Sequence, residues 1–189
     1  LNKSLSFSGS GELDNGWTVS VSQTLKDGTS TGLGMTIDMG DAGTLNYEAD
    51  TGARGIGKIK DMMPTADEDV GNGIDVDGTG TSGGLSGTVS GGTLGFHYAN
   101  TVSDMIEIGI GYSPKNQSTG SGGVSGIGGK GSAVSGFVII DPMDGLEIGF
   151  GMSEVAQADG DKGKTDDHTT VYVTYVYGPI TAGYQQSNL

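Results

Sequence analysis

The charged residues that could form a functional site are concentrated in one stretch of the chain. It lies between two segments in which apolar residues alternate with small or polar ones. Three basic residues are followed there by four acids: Arg54, Lys58, Lys60, Asp61, Asp67, Glu68 and Asp69. Basic and acidic groups that face each other across water set up a transverse electric field, in which polar solutes align. The same charges would also be found in an ordinary solvated loop, so both interpretations stay open.

A second candidate site is a calcium-binding loop further along the chain. The run from Gly71 to Asp77 (Gly-Asn-Gly-Ile-Asp-Val-Asp) resembles one turn of the glycine-rich calcium nonapeptide, with Asp75 and Asp77 as candidate ligands. It occurs once, whereas a solenoid needs several turns, and the EF-hand spacing is not met. We therefore expect no cofactor, with a structural Ca²⁺ at Asp75 and Asp77 as the open alternative.

Residue types used in catalysis are present, but not in catalytic arrangements. The two histidines, His97 and His168, lack the spacing of a zinc site. Serines are numerous, yet none sits in a nucleophile elbow, which is a sharp strand-to-helix turn, because no stretch of the chain shows convincing helical periodicity. The glycine-rich stretch 120–131 has neither the Lys-Ser/Thr pair nor the following helix of a phosphate-binding loop. We therefore expect that the protein is not an enzyme.

The composition narrows the class of partner. The 189 residues include 38 glycines and no cysteine, and 23 acidic residues outnumber 9 basic ones, for a formal net charge of −14. Nucleic acid is not an expected partner, because phosphate binding needs a basic face. The acidic balance favours attraction of cations, and the absence of cysteine excludes disulfides and thiolate metal sites.

The elements that must position these residues are β-strands. Apolar residues alternate with small or polar ones along almost the whole chain, as in Ile106 to Tyr112 and Leu146 to Met152, which predicts about ten strands. Only residues 132–140 are apolar on both faces. The longest fully apolar run, Phe137 to Ile140, is far shorter than the roughly 20 residues of a membrane helix.

The predicted connections alternate between short and long. Asp14 to Gly16 and Gly178-Pro179 are tight turns, whereas Asp50 to Gly84 is a long insertion. Lys26 to Thr31 and Glu154 to His168 are also expected to be longer connections. One end of the sheet therefore carries short turns and the other carries long loops, an asymmetry typical of outer-membrane barrels.

The chemistry of the two strand faces favours a membrane barrel over a soluble sandwich. The polar face of a sandwich would carry many Lys, Arg and Glu residues, but here the second face is mostly Gly, Ser and Thr. The apolar face is nearly pure, and lipid imposes such purity because Lys or Arg at mid-membrane costs about 2–4 kcal/mol. Four acids alternate with the apolar residues and would face the lumen: Asp38, Glu48, Glu107 and Glu147.

Aromatic residues near the predicted strand ends fit the two interfacial girdles of a barrel. Trp17, Tyr98 and Tyr177 adjoin short turns, while Tyr47 and Tyr112 adjoin long loops. Aromatic residues that simply fill a soluble core would show the same positions, so this alternative stays open.

Three features of the chain can be compared with a known family. They are the insertion Asp50 to Gly84, the run Lys60 to Glu68 within it (Lys-Asp-Met-Met-Pro-Thr-Ala-Asp-Glu), and the strand pair Gly92 to Tyr98 and Ile106 to Tyr112. Together they resemble the 16-stranded trimeric general porins of Gram-negative bacteria, most closely those of α-proteobacteria. The resemblance implies an antiparallel up-and-down transmembrane β-barrel, with residues 50–84 folded inward as the constriction loop.

The function implied by the resemblance is a water-filled channel for passive diffusion of small polar solutes and ions. The seven charged residues of the loop would line its constriction, and the excess of acid predicts a preference for cations. The resemblance further implies the outer membrane of a Gram-negative bacterium, contact with its lipid and lipopolysaccharide, and a homotrimer.

Residues 1–189 are expected to form a single β-barrel domain, and about ten strands are fewer than those of a general porin. We therefore expect an incomplete chain. The alternative is a genuine ten-stranded barrel, an allowed even number, in which the long loop acts as a plug. A different alternative is a secreted calcium-binding surface-layer or adhesin-type β-protein, which would bury its large apolar groups and unfold when calcium is chelated.

Overall fold

The computed structural model describes residues 3–26, 29–49, 55–59, 62–64, 94–113, 132–156 and 165–188. Ten strands lie in these ranges: β1 (Ser4–Glu12), β2 (Thr18–Lys26), β3 (Thr29–Asp38), β4 (Thr44–Ala49), β5 (Leu94–Ser103), β6 (Ile106–Ser113), β7 (Ala133–Met143), β8 (Leu146–Ala156), β9 (Thr165–Tyr177) and β10 (Ile180–Asn188). Two short 3-10 segments accompany them, Gly40–Ala42 and Gly55–Ile59.

All ten strands belong to one antiparallel sheet, in which each strand pairs with its neighbours in the chain, from β1 to β10 in order. The protein is therefore all-β with up-and-down topology, and the predicted antiparallel arrangement is confirmed. β1 and β10 form the two edges, and within the described part of the chain neither has a partner on its outer side. Over the same residues, no helix has the length and apolar character needed to span a membrane.

Short turns join the strands at one end of the sheet, as the sequence predicts. Gly16 and Gly145 adopt positive φ angles of 82° and 79°, which residues with a Cβ rarely adopt. Between β3 and β4, the carboxylate of Asp38 accepts a hydrogen bond from the Gly40 N–H at 2.9 Å. This contact between a side chain and the backbone two residues later is a common way to start a turn.

At the opposite end, the connection between β2 and β3 is shorter than predicted. Lys26 pairs with Thr29, so only residues 27 and 28 join the two strands, and the prediction of a longer loop from Lys26 to Thr31 is wrong. A bulge within β2 shifts the register, and pairing then continues to the end of the strand.

The ladder between β8 and β9 also extends further than the apolar alternation. Ala156 pairs with Thr165, so His168 lies within β9 and not at the end of a loop. Glu154 and Asp167 pair directly in this extension. Because ladder hydrogen bonds come from the backbone, a strand continues through polar residues after the apolar pattern has stopped.

One face of the sheet, called the apolar face below, carries large apolar residues that no described part of the chain covers. Ile110 and Phe150 on this face are 55% and 50% exposed. Other strongly exposed members lie on nearly every strand: Leu5, Phe7, Val21, Leu25, Leu33, Phe96, Tyr112, Val134, Val138, Ile140, Ile148, Met152, Val171, Val173, Tyr175, Ile180 and Tyr184. The strand register aligns them into a continuous surface.

The opposite face, called the small-residue face, carries mostly Gly, Ser and Thr with a few rings between them. The ring of Phe137 lies against Gly109, and the ring of Tyr172 lies against Gly149, each pair being directly opposite on neighbouring strands. A Cβ at either glycine would come within 2.2 Å or 1.9 Å of a ring atom. The glycines on this face therefore provide the space in which the rings lie flat on the sheet.

Candidate functional site

A short piece of the long insertion packs on the small-residue face, and its contact with the sheet is the candidate site. Its described parts are the 3-10 segment Gly55–Ile59 and residues 62–64, together called the covering segment. It contacts β6, β7, β8 and β10. This piece of the insertion therefore lies on the side opposite to the apolar face.

Two isoleucines attach the covering segment to the sheet. Ile56 and Ile59 are fully buried and form one cluster with Phe137, Ile139 and Tyr172. Their spacing of three residues places both side chains on the same side of a 3-10 turn. Burial of an isoleucine side chain contributes about 1.5–3 kcal/mol, so these two residues dominate the attachment.

Glycines allow the segment to approach the sheet closely. Gly55 has a φ of +52° and faces Ser135, whose Oγ would lie 1.8 Å from a Cβ at position 55. On β8, a Cβ at Gly151 would lie 2.7 Å from Ile59 Cδ1 and 2.9 Å from Ile56 Cγ1. A larger residue at either glycine would push the segment away from the sheet.

Polar side chains complete the contact. The side-chain amide of Gln185 donates to the Ile59 carbonyl at 3.0 Å and to Thr170 Oγ1 at 3.0 Å. Its carbonyl oxygen accepts from the Met62 N–H at 2.9 Å. The amide of one β10 residue thus satisfies two backbone groups of the covering segment, which would otherwise lack a partner when covered.

Two of the predicted site residues meet at the segment. Lys58 forms an ion pair with Glu107 of β6, and its Nζ lies 5.4 Å from the centroid of the Phe137 ring. Both charged side chains are partly exposed, so water screens the pair and its net contribution is small. Glu147 lies on the same face, where it accepts a hydrogen bond from the Tyr172 hydroxyl at 2.8 Å.

The structure places the other predicted residues elsewhere or does not describe them. Asp38 is the last residue of β3 and bonds Gly40 in the following turn, and Glu48 lies in β4, where it pairs in register with Gly34 and Gly95. Eight predicted residues lie outside the described ranges: Arg54, Lys60, Asp61, Asp67, Glu68, Asp69, Asp75 and Asp77.

Sequence reasoning missed the apolar half of this site. Ile56, Ile59 and Gln185 were not predicted to have a role, although they hold the segment. One signal pointed to the right place: residues 132–140 are apolar on both faces, and Phe137 and Ile139 are the residues of β7 that the segment covers.

A row of aromatic residues crosses the apolar face near the end with long connections. Tyr47 pairs with Phe96, which pairs with Tyr112, and the first two rings are 4.8 Å apart between centroids. Near the short turns, Trp17 and Tyr177 are exposed. The apolar face therefore has aromatic side chains near both of its ends.

A cavity of about 560 Å³ opens on the small-residue face near the short turns. Four of its lining residues are acidic, and none is basic: Asp104, Asp141, Asp144 and Glu147. In the described part of the chain, no group of three or more His, Asp or Glu side chains is arranged to hold a metal ion. The cavity therefore has an acidic lining, in which the described residues form no metal-ligand group.

Comparison with known proteins gives no family: no protein-family model matches the chain, and no curated protein sequence matches it. Function must therefore be inferred from the two unlike faces of the sheet and from the covering segment.

Proposed function

We propose that these strands form part of the wall of an outer-membrane β-barrel channel of the general porin type, in a Gram-negative bacterium. Small polar solutes and ions would cross it by passive diffusion, without catalysis. One observation carries the proposal: large apolar residues are exposed on the apolar face of nearly every strand, while the covering segment packs on the small-residue face. Lipid explains the first half of this observation, and a water-filled lumen explains the second.

The charge distribution on the apolar face supports contact with lipid. Within the paired strands, the register places no Lys or Arg on this face, and its acids, Glu154 and Asp167, pair with each other at one end. A soluble protein rarely exposes an apolar surface of this extent, because it would associate. Strands such as β7 and β8, of 11 residues each, also match the roughly 9–11 residues needed to cross the hydrocarbon core.

The two edges of the sheet, which have no outer partner among the described residues, support a closed or extended wall. An exposed edge strand offers free N–H and C=O groups to other chains, and closure into a barrel removes this problem. Edges without partners are also intolerable in lipid, where backbone groups have no water to bond. In the proposed assembly, β1 and β10 pair with each other or with further strands, and the assembly is a homotrimer.

The small-residue face supports a preference for cations. Glu147 lies there with the aspartates of the acidic cavity, and the charge of Lys58 is balanced by that of Glu107, so the net charge of these described residues is negative. Carboxylates that line a narrow aqueous passage raise the local concentration of cations.

Reconstitution tests the proposal. The full-length protein, refolded in detergent and added to a planar lipid bilayer, is expected to give stepwise increases in conductance. A protein that stays monomeric in water without detergent and gives no conductance would rule out the channel. Unfolding on addition of a calcium chelator would instead favour the secreted calcium-binding alternative.

A pair of variants tests the selectivity. Glu147→Gln removes a charge from the small-residue face, whereas Glu154→Gln removes one from the apolar face. In a salt gradient, the reversal potential is expected to move toward zero with Glu147→Gln and to stay unchanged with Glu154→Gln. Equal shifts in both variants would contradict the assignment of the faces.

A further inference from the structure

We propose that Gln185 is a positioning residue that sets the channel aperture by holding the covering segment against β10. This proposal rests on the proposed channel function. It assigns a role to a neutral side chain on the tenth strand, far in sequence from the insertion that it holds.

The hydrogen bonds of Gln185 fix two points of the covering segment at once. Its amide nitrogen bonds the Ile59 carbonyl at 3.0 Å, and its oxygen bonds the Met62 N–H at 2.9 Å. Ile59 and Met62 flank Lys60 and Asp61 in the sequence, which are two of the charged residues predicted to line the constriction. One side chain therefore restrains the backbone at the two residues that flank Lys60 and Asp61 in the sequence.

The orientation of the amide is also fixed. The Ile59 carbonyl can only accept and the Met62 N–H can only donate, so the amide nitrogen must face Ile59 and the oxygen must face Met62. The same nitrogen also donates to Thr170 Oγ1 of β9 at 3.0 Å. A glutamine is suited to this task because its amide has both a donor and an acceptor. Neither a glutamate nor a lysine side chain can make both bonds.

A second position on β10 fits the same contact. Gly183, two residues before Gln185, lies on the same face of the strand. A Cβ there would lie 2.7 Å from Pro64 Cδ and 3.1 Å from Met63 Cε. The absence of a side chain at position 183 thus lets residues 63 and 64 lie directly on β10, beside the amide that bonds Met62.

Thiol labelling tests whether Gln185 holds the covering segment against β10, an interaction called the clamp below. The test needs no measurement of transport. The chain has no cysteine, so Met62→Cys supplies a single reporter at a partly buried side chain that packs on the core cluster. The hydrogen bond to Gln185 uses the backbone N–H of residue 62, so the reporter preserves it. Gln185→Ala removes the two hydrogen bonds to the covering segment, and this loss is expected to raise the labelling rate about 5- to 30-fold.

Two further variants make the result specific. Gln186→Ala is the matched control, since this neighbouring glutamine lies on the other face of β10, and it should leave the labelling rate unchanged. Gln185→Glu keeps the acceptor but loses the donor, and should raise the rate as Gln185→Ala does. Because the glutamate is nearly isosteric, it serves as the test if Gln185→Ala does not fold.

Conductance then tests the link to the aperture. Release of the segment in Gln185→Ala is expected to increase single-channel conductance, whereas Gln186→Ala should match the wild type. Unchanged labelling in both Gln185 variants would overturn the clamp, even if the protein conducts. Faster labelling in a protein that never conducts would support the clamp and contradict the proposed channel function. Faster labelling with unchanged conductance would overturn the role in setting the aperture.

Discussion

Strands β1–β3 and strands β6–β10 carry similar residues on the apolar face and different residues on the small-residue face. Both regions present large apolar residues on the apolar face, such as Val21 in the first and Val171 in the second. On the small-residue face, β1–β3 carry mainly hydroxyl side chains, and no side chain that the structure describes there is buried. In β6–β10 the same face carries rings, acids and glycines beneath the covering segment.

This difference indicates that the residues of the two faces are adapted to different environments. In the proposed barrel, a single lipid phase would impose the same requirement on every strand, which would account for the uniform apolar face. The small-residue face meets water in one region and a packed segment in the other, so its residues are adapted locally. We therefore expect β1–β3 to be held by strand pairing alone and β6–β10 to be held by pairing and burial together.

The largest expected difference between the regions is in the cost of losing one side chain. Tyr172→Ala removes a buried ring and its hydrogen bond to Glu147, and should lower the free energy of unfolding by about 3–5 kcal/mol. Thr24→Ala in β2 removes an exposed hydroxyl contact with Ser6 and should cost under about 1 kcal/mol. Urea unfolding in lipid vesicles measures both. Similar values would mean that burial does not distinguish the two regions.

Charges on the apolar face should have the same effect in both regions. Val21→Lys in β2 and Val171→Lys in β9 each place an ammonium group near the middle of a strand, and each should cost about 2–4 kcal/mol in a bilayer. The same vesicle assay measures the two values. A large cost at only one of these positions would show that only part of the sheet contacts lipid.

The glycines offer a sharper comparison because the substitution is identical. Gly151→Ala puts a Cβ into Ile56 and Ile59, and overpacking of this kind costs about 1–3 kcal/mol. Gly11→Ala on β1 meets no atom within 4 Å, and should change stability by less than about 0.5 kcal/mol. Chemical denaturation of the two variants checks this. A neutral Gly151→Ala would indicate that the covering segment is not tightly packed.

The smallest expected effect concerns the ion pair. A double-mutant cycle of Lys58→Gln and Glu107→Gln should give a coupling energy of about 0.2–1 kcal/mol, because both side chains are partly exposed. The coupling should fall as salt is raised from low to molar ionic strength. A coupling that is independent of salt would show that the pair is shielded from water.

Much of the sheet could be predicted from the sequence, because alternation with period two directly reflects two unlike environments. The strands, their antiparallel order and the faces of Ile110 and Glu107 all follow from that pattern. Pairing through polar residues could not be predicted in this way, as Lys26 and His168 show. The Asp27-Gly28 pair, whose residue types favour two-residue hairpins, was the overlooked sign of a short β2–β3 connection.

The attachment of the covering segment was not predictable for a different reason. Ile56 and Ile59 look like two ordinary apolar residues in a glycine-rich stretch, and their partners come from strands more than 75 positions later. Contacts of this kind depend on the three-dimensional proximity of β7, β8 and β10, which no local pattern contains. The apolar residues of β7 on the small-residue face indicated that another part of the chain covers them, but not which residues do so.

The bond from Gln185 to Ile59 spans 126 positions, whereas every strand pairs only with its chain neighbours. Hairpins can therefore form one after another during biogenesis, each closing a small loop at low entropic cost. The amide on β10 becomes available only when the last of these strands is in place. Docking of the covering segment on β10 thus follows the pairing of all ten described strands.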